Sequence, residues 1–202
     1  DALEQAVAKA AEGGTFESSY GDYAMTTAKN AASGAAVAID VETGEVLAMA
    51  SFPDYDPNDF AVSVSEEKWA SLQQENPYDP MSPSPMYNTA TMTAVQPGSA
   101  FKPVTALAAM SCGLDEKKYL YDDGAVTLGE RTYGCFLWNE KNETHGYVSL
   151  REALKVSCNY YFFDIAAGKD FASGTSLDYD RRISNETITD TAKMLGLGRK
   201  TG

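Results

Sequence analysis

Gln96-Pro97-Gly98-Ser99-Ala100-Phe101-Lys102-Pro103 is the stretch from which the rest of the chain is read. Serine and lysine stand three positions apart behind a Pro-Gly pair. An apolar run follows through Val104, Leu107, Ala108 and Cys112 at helical spacing, and Gly113 closes it. The pattern predicts a helix from Ser99 to about Cys112, with Ser99 and Lys102 one turn apart on one face. A neutral lysine amine so placed takes the proton of the hydroxyl as the serine attacks a carbonyl. It can do so near neutral pH when burial or neighbouring groups lower its pKa. The free N–H groups of a helix start suit a developing oxyanion.

The bare spacing is a weak signal. The chain holds a second copy, Ser65-Glu66-Glu67-Lys68, which reads as an exposed charged helix without catalytic meaning. The Pro-Gly and the apolar helix set the first copy apart. A second signal is Ser157-Cys158-Asn159, whose hydroxyl can relay a proton and whose amide can hold a peptide carbonyl. By itself an asparagine there reads as a cap or a solvated side chain.

Composition narrows the classes. The chain has 202 residues, with 44% hydrophobic and 22% charged residues, ordinary for a globular domain with a sizeable core. A net charge of −13 argues against a nucleic-acid partner and against anionic lipid. No apolar run is long enough to span a membrane. A single histidine, His145, excludes two-histidine metal motifs. Three cysteines, Cys112, Cys135 and Cys158, give no complete disulfide framework.

Around these motifs the chain reads as a mixture of helices and strands. Residues 1–12 form a helix that Asp1 caps and Gly13-Gly14 stops. Residues 36–40 and 45–50 form a hairpin about Glu42-Thr43-Gly44. Asp54-x-Asp56-x-Asn58 lacks the glycine and glutamate of a calcium loop and reads as a capped turn. A short helix is expected over 65–75 and an irregular loop over the prolines from Pro77 to Pro85. Residues 115–147 read as loop-rich with a short strand or two. Residues 149–167 read as one or two helices with Tyr160, Tyr161, Phe162 and Phe163 in the core, and 187–195 as a last helix.

Taken together, Ser99-x-x-Lys102 and Ser157-x-Asn159 resemble the first two of the three active-site boxes of penicillin-binding proteins and serine β-lactamases. The resemblance extends along most of the chain. Ala36 to Ala50 is similar to the family's first hairpin, Ser51 to Asn58 to the segment after it, and Tyr87-Asn88-Thr89-Ala90 to the approach to the nucleophile. His145-Gly146-Tyr147-Val148-Ser149-Leu150 and Ser157 to Phe163 resemble the elongation-type class B penicillin-binding proteins. Lys200-Thr201-Gly202 spells the third box but follows Asn159 by only 41 positions. In the family that box lies far downstream on an edge strand.

The resemblance implies an α/β (α+β) penicillin-binding fold, an antiparallel sheet flanked by helices, with residues 1–202 forming the front part of one transpeptidase domain. Anchor, pedestal and C-terminal strands are expected to lie outside this chain, which alone is expected to be inactive. It implies a peptidoglycan D,D-transpeptidase acting through a serine acyl-enzyme. Ser99 is the nucleophile, Lys102 the base, Ser157 the relay and Asn159 the substrate holder; no cofactor serves catalysis. Stem peptides and β-lactams are the implied ligands, with cell-wall elongation proteins as partners, at the extracytoplasmic face of the bacterial membrane. A β-lactam sensor that stays acylated and a non-catalytic scaffold share the boxes and stay open.

Within the class B-like stretch, Cys135, His145 and Cys158, completed by Asp122 or Asp123 with Asp123 preferred, form a mixed set that suits tetrahedral structural zinc. Such a site would tie a loop-rich region to the helix carrying Ser157 and Asn159. Two other readings stand beside it: a Cys135–Cys158 disulfide, or free buried thiols with an unrelated His145.

Overall fold

The computed structural model describes residues 2–79 and 82–200. The chain divides into two compact units, Asp1–Val95 and Gln96–Gly202.

In the first unit, α1 (Ala2–Glu12) is built from strong helix formers and ends at Gly13. The expected cap at Asp1 lies outside the described residues. Strands β1 (Gly14–Ser18) and β2 (Gly21–Met25) pair antiparallel, a hairpin that the sequence did not announce. The expected hairpin follows as β3 (Gly34–Ile39) and β4 (Val46–Phe52). Its register pairs Ala36 with Ala50 and Val37 with Met49 and shifts at Ala38/Ile39. The turn is held by the Asp40 carboxylate, which accepts from the N–H groups of Glu42 and Thr43 at 2.8 Å each. Val37, Val46, Leu47 and Met49 of this hairpin are exposed.

Asp56 caps the 3-10 turn Pro57–Phe60 by accepting from Asn58 N–H, as a capped turn rather than a calcium loop should. Helix α2 (Glu66–Ser71) is capped by Ser65, whose hydroxyl accepts from Lys68 N–H, while Lys68 Nζ pairs with Asp59 at 2.8 Å. The second Ser-x-x-Lys is thus a helix cap and a surface ion pair. A short helix, α3 (Thr89–Met92), precedes the second unit.

The second unit opens on a 3-10 turn, Gly98–Phe101, that runs into α4 (Lys102–Ser111). Sequence periodicity predicted one helix from Ser99. The first turn is tighter because Ala100 N–H bonds to Pro97 O and Lys102 N–H to Ser99 O, each three residues back. Residues 115–147 hold more structure than expected. They contain β5 (Leu120–Asp122), β6 (Ala125–Leu128), β7 (Arg131–Gly134), α5 (Phe136–Lys141) and β8 (Gly146–Val148). β6 pairs with β7 as a local hairpin; β5 pairs antiparallel with the distant β8, setting Asp122 opposite Gly146. Helices α6 (Leu150–Lys155), α7 (Asn159–Ala167) and α8 (Asn185–Met194) complete the unit.

The core joins Ala106, Ala108, Ala109 and Cys112 of α4 to Tyr160, Tyr161, Phe162 and Ile165 of α7 and to Leu150 and Ala153 of α6. Alanines on α4 let the aromatic side chains of α7 approach closely. Leu107 and Met110 therefore turn outward, although the periodicity had counted Leu107 with the core. The architecture is mixed α/β with antiparallel strand pairs and helices, as expected.

Candidate active site

Ser99 lies in the exposed 3-10 turn, and Lys102, half-buried, opens α4. Lys102 Nζ donates to three oxygens: Ser157 O at 2.6 Å, Ser157 Oγ at 2.9 Å and Asn159 Oδ1 at 2.7 Å. When the amine is charged, its three protons match these three acceptors. Ser157 Oγ is also 3.1 Å from Ser99 Oγ. The hydrogen-bonded path from Ser99 to Lys102 therefore runs through Ser157. The four residues predicted from the two boxes meet in the second unit.

The geometry depends on a break between two helices. Ser149 starts α6 with a reciprocal capping box, its side chain and backbone exchanging bonds with Glu152. Helix α6 stops at Lys155; Ser157 takes a left-handed φ of 54°; Cys158 is extended; α7 begins at Asn159. A positive φ in serine is uncommon and costs conformational energy. Here it turns both Ser157 O and Ser157 Oγ toward Lys102. Cys158 then caps α7, its sulfur accepting from Tyr161 N–H at 3.4 Å.

Burial lowers the pKa of Lys102 from the ordinary lysine value, while the nearby thiols of Cys135 and Cys158 oppose the shift. The Phe162 ring lies beneath the amine, with its centroid 5.4 Å from Nζ. Sequence reading had assigned Phe162 to the core alone. Its spacing of three from Asn159 was the only available signal that it shares a helix face with the site.

Directly behind this site lies a second cluster. The donor atoms of Asp122, Cys135, His145 and Cys158 lie within 4.8 Å of one another. Asp122 Oδ2 is 2.7 Å from His145 Nδ1 and accepts from Cys158 Sγ at 3.4 Å. Cys135 Sγ stands 3.7 Å from His145 Nδ1 and accepts the backbone N–H of Asn159 at 3.3 Å. The preferred Asp123 is corrected to Asp122. Strand β5 alternates its side chains, so Leu120 and Asp122 point inward and Tyr121 outward. Asp123, one step on, is exposed.

Asp122 is fully enclosed. Burial pushes its carboxyl up, but hydrogen bonds from His145, Gly124 and Cys158 outweigh that and hold it below the usual range. Burial pushes the Cys158 thiol up, so in the absence of a cation it keeps its proton. All three cysteines are free. Gly124 frames the cluster: its N–H donates to Asp122 Oδ1 and its carbonyl accepts from Cys135 N–H at 2.7 Å. Its φ is 91°, and a side chain there would run into the Trp138 indole. Two thiols, an imidazole and a carboxylate in a buried, converging set are zinc-type donors.

Lys200 is exposed and outside any strand, while Thr201 and Gly202 lie outside the described residues.

Residues 34–202 match the family described as the penicillin binding protein transpeptidase domain. The chain belongs to this family. Among penicillin-binding transpeptidases, it is 29% identical over 170 residues to the peptidoglycan D,D-transpeptidase MrdA of Acinetobacter baumannii, covering 84% of this chain and 22% of that protein. It is similar to the solved complex between penicillin-binding protein 2 and MreC of Helicobacter pylori, with 26% identity and a TM-score of 0.66, over 82% of this chain and 27% of that one. It is also similar to the penicillin G acyl-enzyme complex of penicillin-binding protein A from M. tuberculosis. That match has 28% identity and a TM-score of 0.61, over 82% of this chain and 34% of that one. The chain thus spans roughly a quarter to a third of the length of the penicillin-binding proteins it resembles.

Proposed function

We propose that this chain carries the serine, base and relay of a peptidoglycan D,D-transpeptidase, and that β-lactams acylate the same serine. The observation that carries this reading is the Ser99–Ser157–Lys102 hydrogen-bonded path, with Asn159 on the third side of the amine. With Lys102 neutral, its lone pair accepts from the Ser157 hydroxyl, and Ser157 Oγ accepts from Ser99. The proton of Ser99 then passes along this path as its Oγ bonds to the carbonyl carbon of the penultimate D-alanine of a stem peptide. The C–N bond breaks, and the departing D-alanine amine takes the proton back from Lys102. An amine of a second stem peptide attacks the ester, loses its proton to the same path and frees Ser99. In a β-lactam the broken C–N bond is the ring amide, so the leaving amine stays attached. Asn159 offers its amide N–H₂ to the substrate backbone while its oxygen holds Lys102.

The stem peptides of an assembled wall lie outside the cytoplasmic membrane, so the site works on the extracytoplasmic face, with the anchor in another segment of the protein. Among the described residues no helix is long and apolar enough to cross a membrane. The MreC complex of the H. pylori relative supports a partner from the cell-wall elongation machinery.

Structural zinc at Asp122, Cys135, His145 and Cys158 belongs to the same proposal. Zinc would supply no chemistry to the acyl transfer. Cys158 lies between Ser157 and Asn159, and Cys135 holds Asn159 N–H, so fixing these two sulfurs fixes the relay.

The test is covalent labelling of the full-length protein with a penicillin, then mass spectrometry of a digest. One adduct is expected, on Ser99, and Ser99→Ala should abolish it. An adduct on Ser65, or none, overturns the reading.

A further inference from the structure

We infer that Phe162 is a positioning residue whose ring face receives the positive charge formed on Lys102 when Ser99 gives up its proton. This rests on the proposed role of Lys102 as base. Asn159 and Phe162 are three apart on α7 and share a face. Asn159 Oδ1 takes one proton of the amine from the side, and the ring centroid lies 5.4 Å from Nζ, inside cation–π range. Phe162 is only 6% exposed and is braced edge-on by Tyr161, with ring centroids 5.9 Å apart, so its face is fixed before the charge arrives.

A ring suits this position better than a carboxylate. It attracts an ammonium through its quadrupole but offers no lone pair that would hold the proton permanently. Burial of the amine favours its neutral form, and the ring face supports the charge once it forms. Among the described residues no carboxylate stands within ion-pairing distance of Lys102. The titratable groups that act on it are the thiols of Cys135, ahead of α5, and Cys158, at the head of α7. The Ser157 carbonyl and hydroxyl and the Asn159 amide oxygen hold the amine, and the Ser99 hydroxyl stands beyond Ser157.

The test uses the full-length protein with Phe162 replaced by mono-, di- and trifluorophenylalanine, which nearly preserve shape while progressively removing the negative ring face. The second-order rate of acylation by a penicillin is measured against pH. The rising limb should move to lower pH with each fluorine, because the ammonium loses support. The plateau should fall by about five- to tenfold over the series, because a weaker base carries the proton in the transition state. Phe162→Leu should move both in the same direction. A falling plateau with a stationary limb assigns Phe162 to packing alone and overturns the inference. Labelling of the parent at Ser99 with no change across the series also overturns it, leaving Lys102 as base intact. A parent never labelled at Ser99 overturns the underlying reading, and this role with it.

Discussion

Ser157 combines two features that sequence alone does not join: a hydroxyl on the proposed proton path and a left-handed backbone, φ 54°. Among the described residues its hydroxyl alone links Ser99 to Lys102 by hydrogen bonds, standing 3.1 Å from one and 2.9 Å from the other. Two substitutions separate the features. Ser157→Gly suits the backbone and deletes the hydroxyl; Ser157→Ala deletes the hydroxyl and keeps the backbone strain. Both should slow acylation by about 10²- to 10⁴-fold, the usual worth of a positioned proton carrier. The glycine variant should melt no lower than the alanine variant. Acylation at the parental rate in Ser157→Gly would mean that Lys102 reaches Ser99 directly.

At the scale of elements, α7 has an internal weakness. Asp164 is fully buried; one oxygen accepts Phe171 N–H at 3.1 Å, and the other has no hydrogen-bond partner among the described residues. Burial pushes its pKa up to about 7. A raised carboxyl pKa means that the folded chain holds a proton that the unfolded chain releases near pH 4. Stability from this group is therefore complete below about pH 4, falls as pH rises to about 7, and is level above. Asp164→Asn keeps the acceptor for Phe171 and removes the titration. It should raise the melting temperature at pH 7.5 and flatten the decline between pH 4 and 7, by up to about 4 kcal/mol. An unchanged stability profile would show that the Asp164 carboxylate finds compensation on ionising.

Legibility also divides at this scale. The β3–β4 hairpin, α4 and the paired boxes were readable because turn residues, periodicity and fixed spacing carry them. The β5–β8 pairing was not, because three-residue strands leave no period to recognise and their partners are distant in sequence. Without β5, nothing in the sequence says which of the adjacent aspartates, Asp122 or Asp123, faces inward. The relay role of Ser157 follows from the second box, but the backbone that delivers it does not, since no pattern signals a positive φ in a serine.

For the whole molecule, the two clusters are mechanically one, because Cys135 holds the N–H of the residue whose side chain holds Lys102. Full-length protein purified without added zinc should carry one zinc per chain, and Cys158→Ser should lose it and slow acylation as well. Absence of metal with two fewer titratable thiols would instead indicate a Cys135–Cys158 disulfide.

The 58-residue separation of Ser99 from Ser157 has a consequence in time. A chain made from its N-terminus at roughly 5 to 20 residues per second presents Ser99 about 3 to 12 s before its relay exists. Until α7 packs on α4, Ser99 is an ordinary alcohol, no more reactive than any other serine in the chain. A penicillin added during refolding would therefore mark only molecules in which that packing is complete. The rate at which label appears would time the closing of the core from inside it.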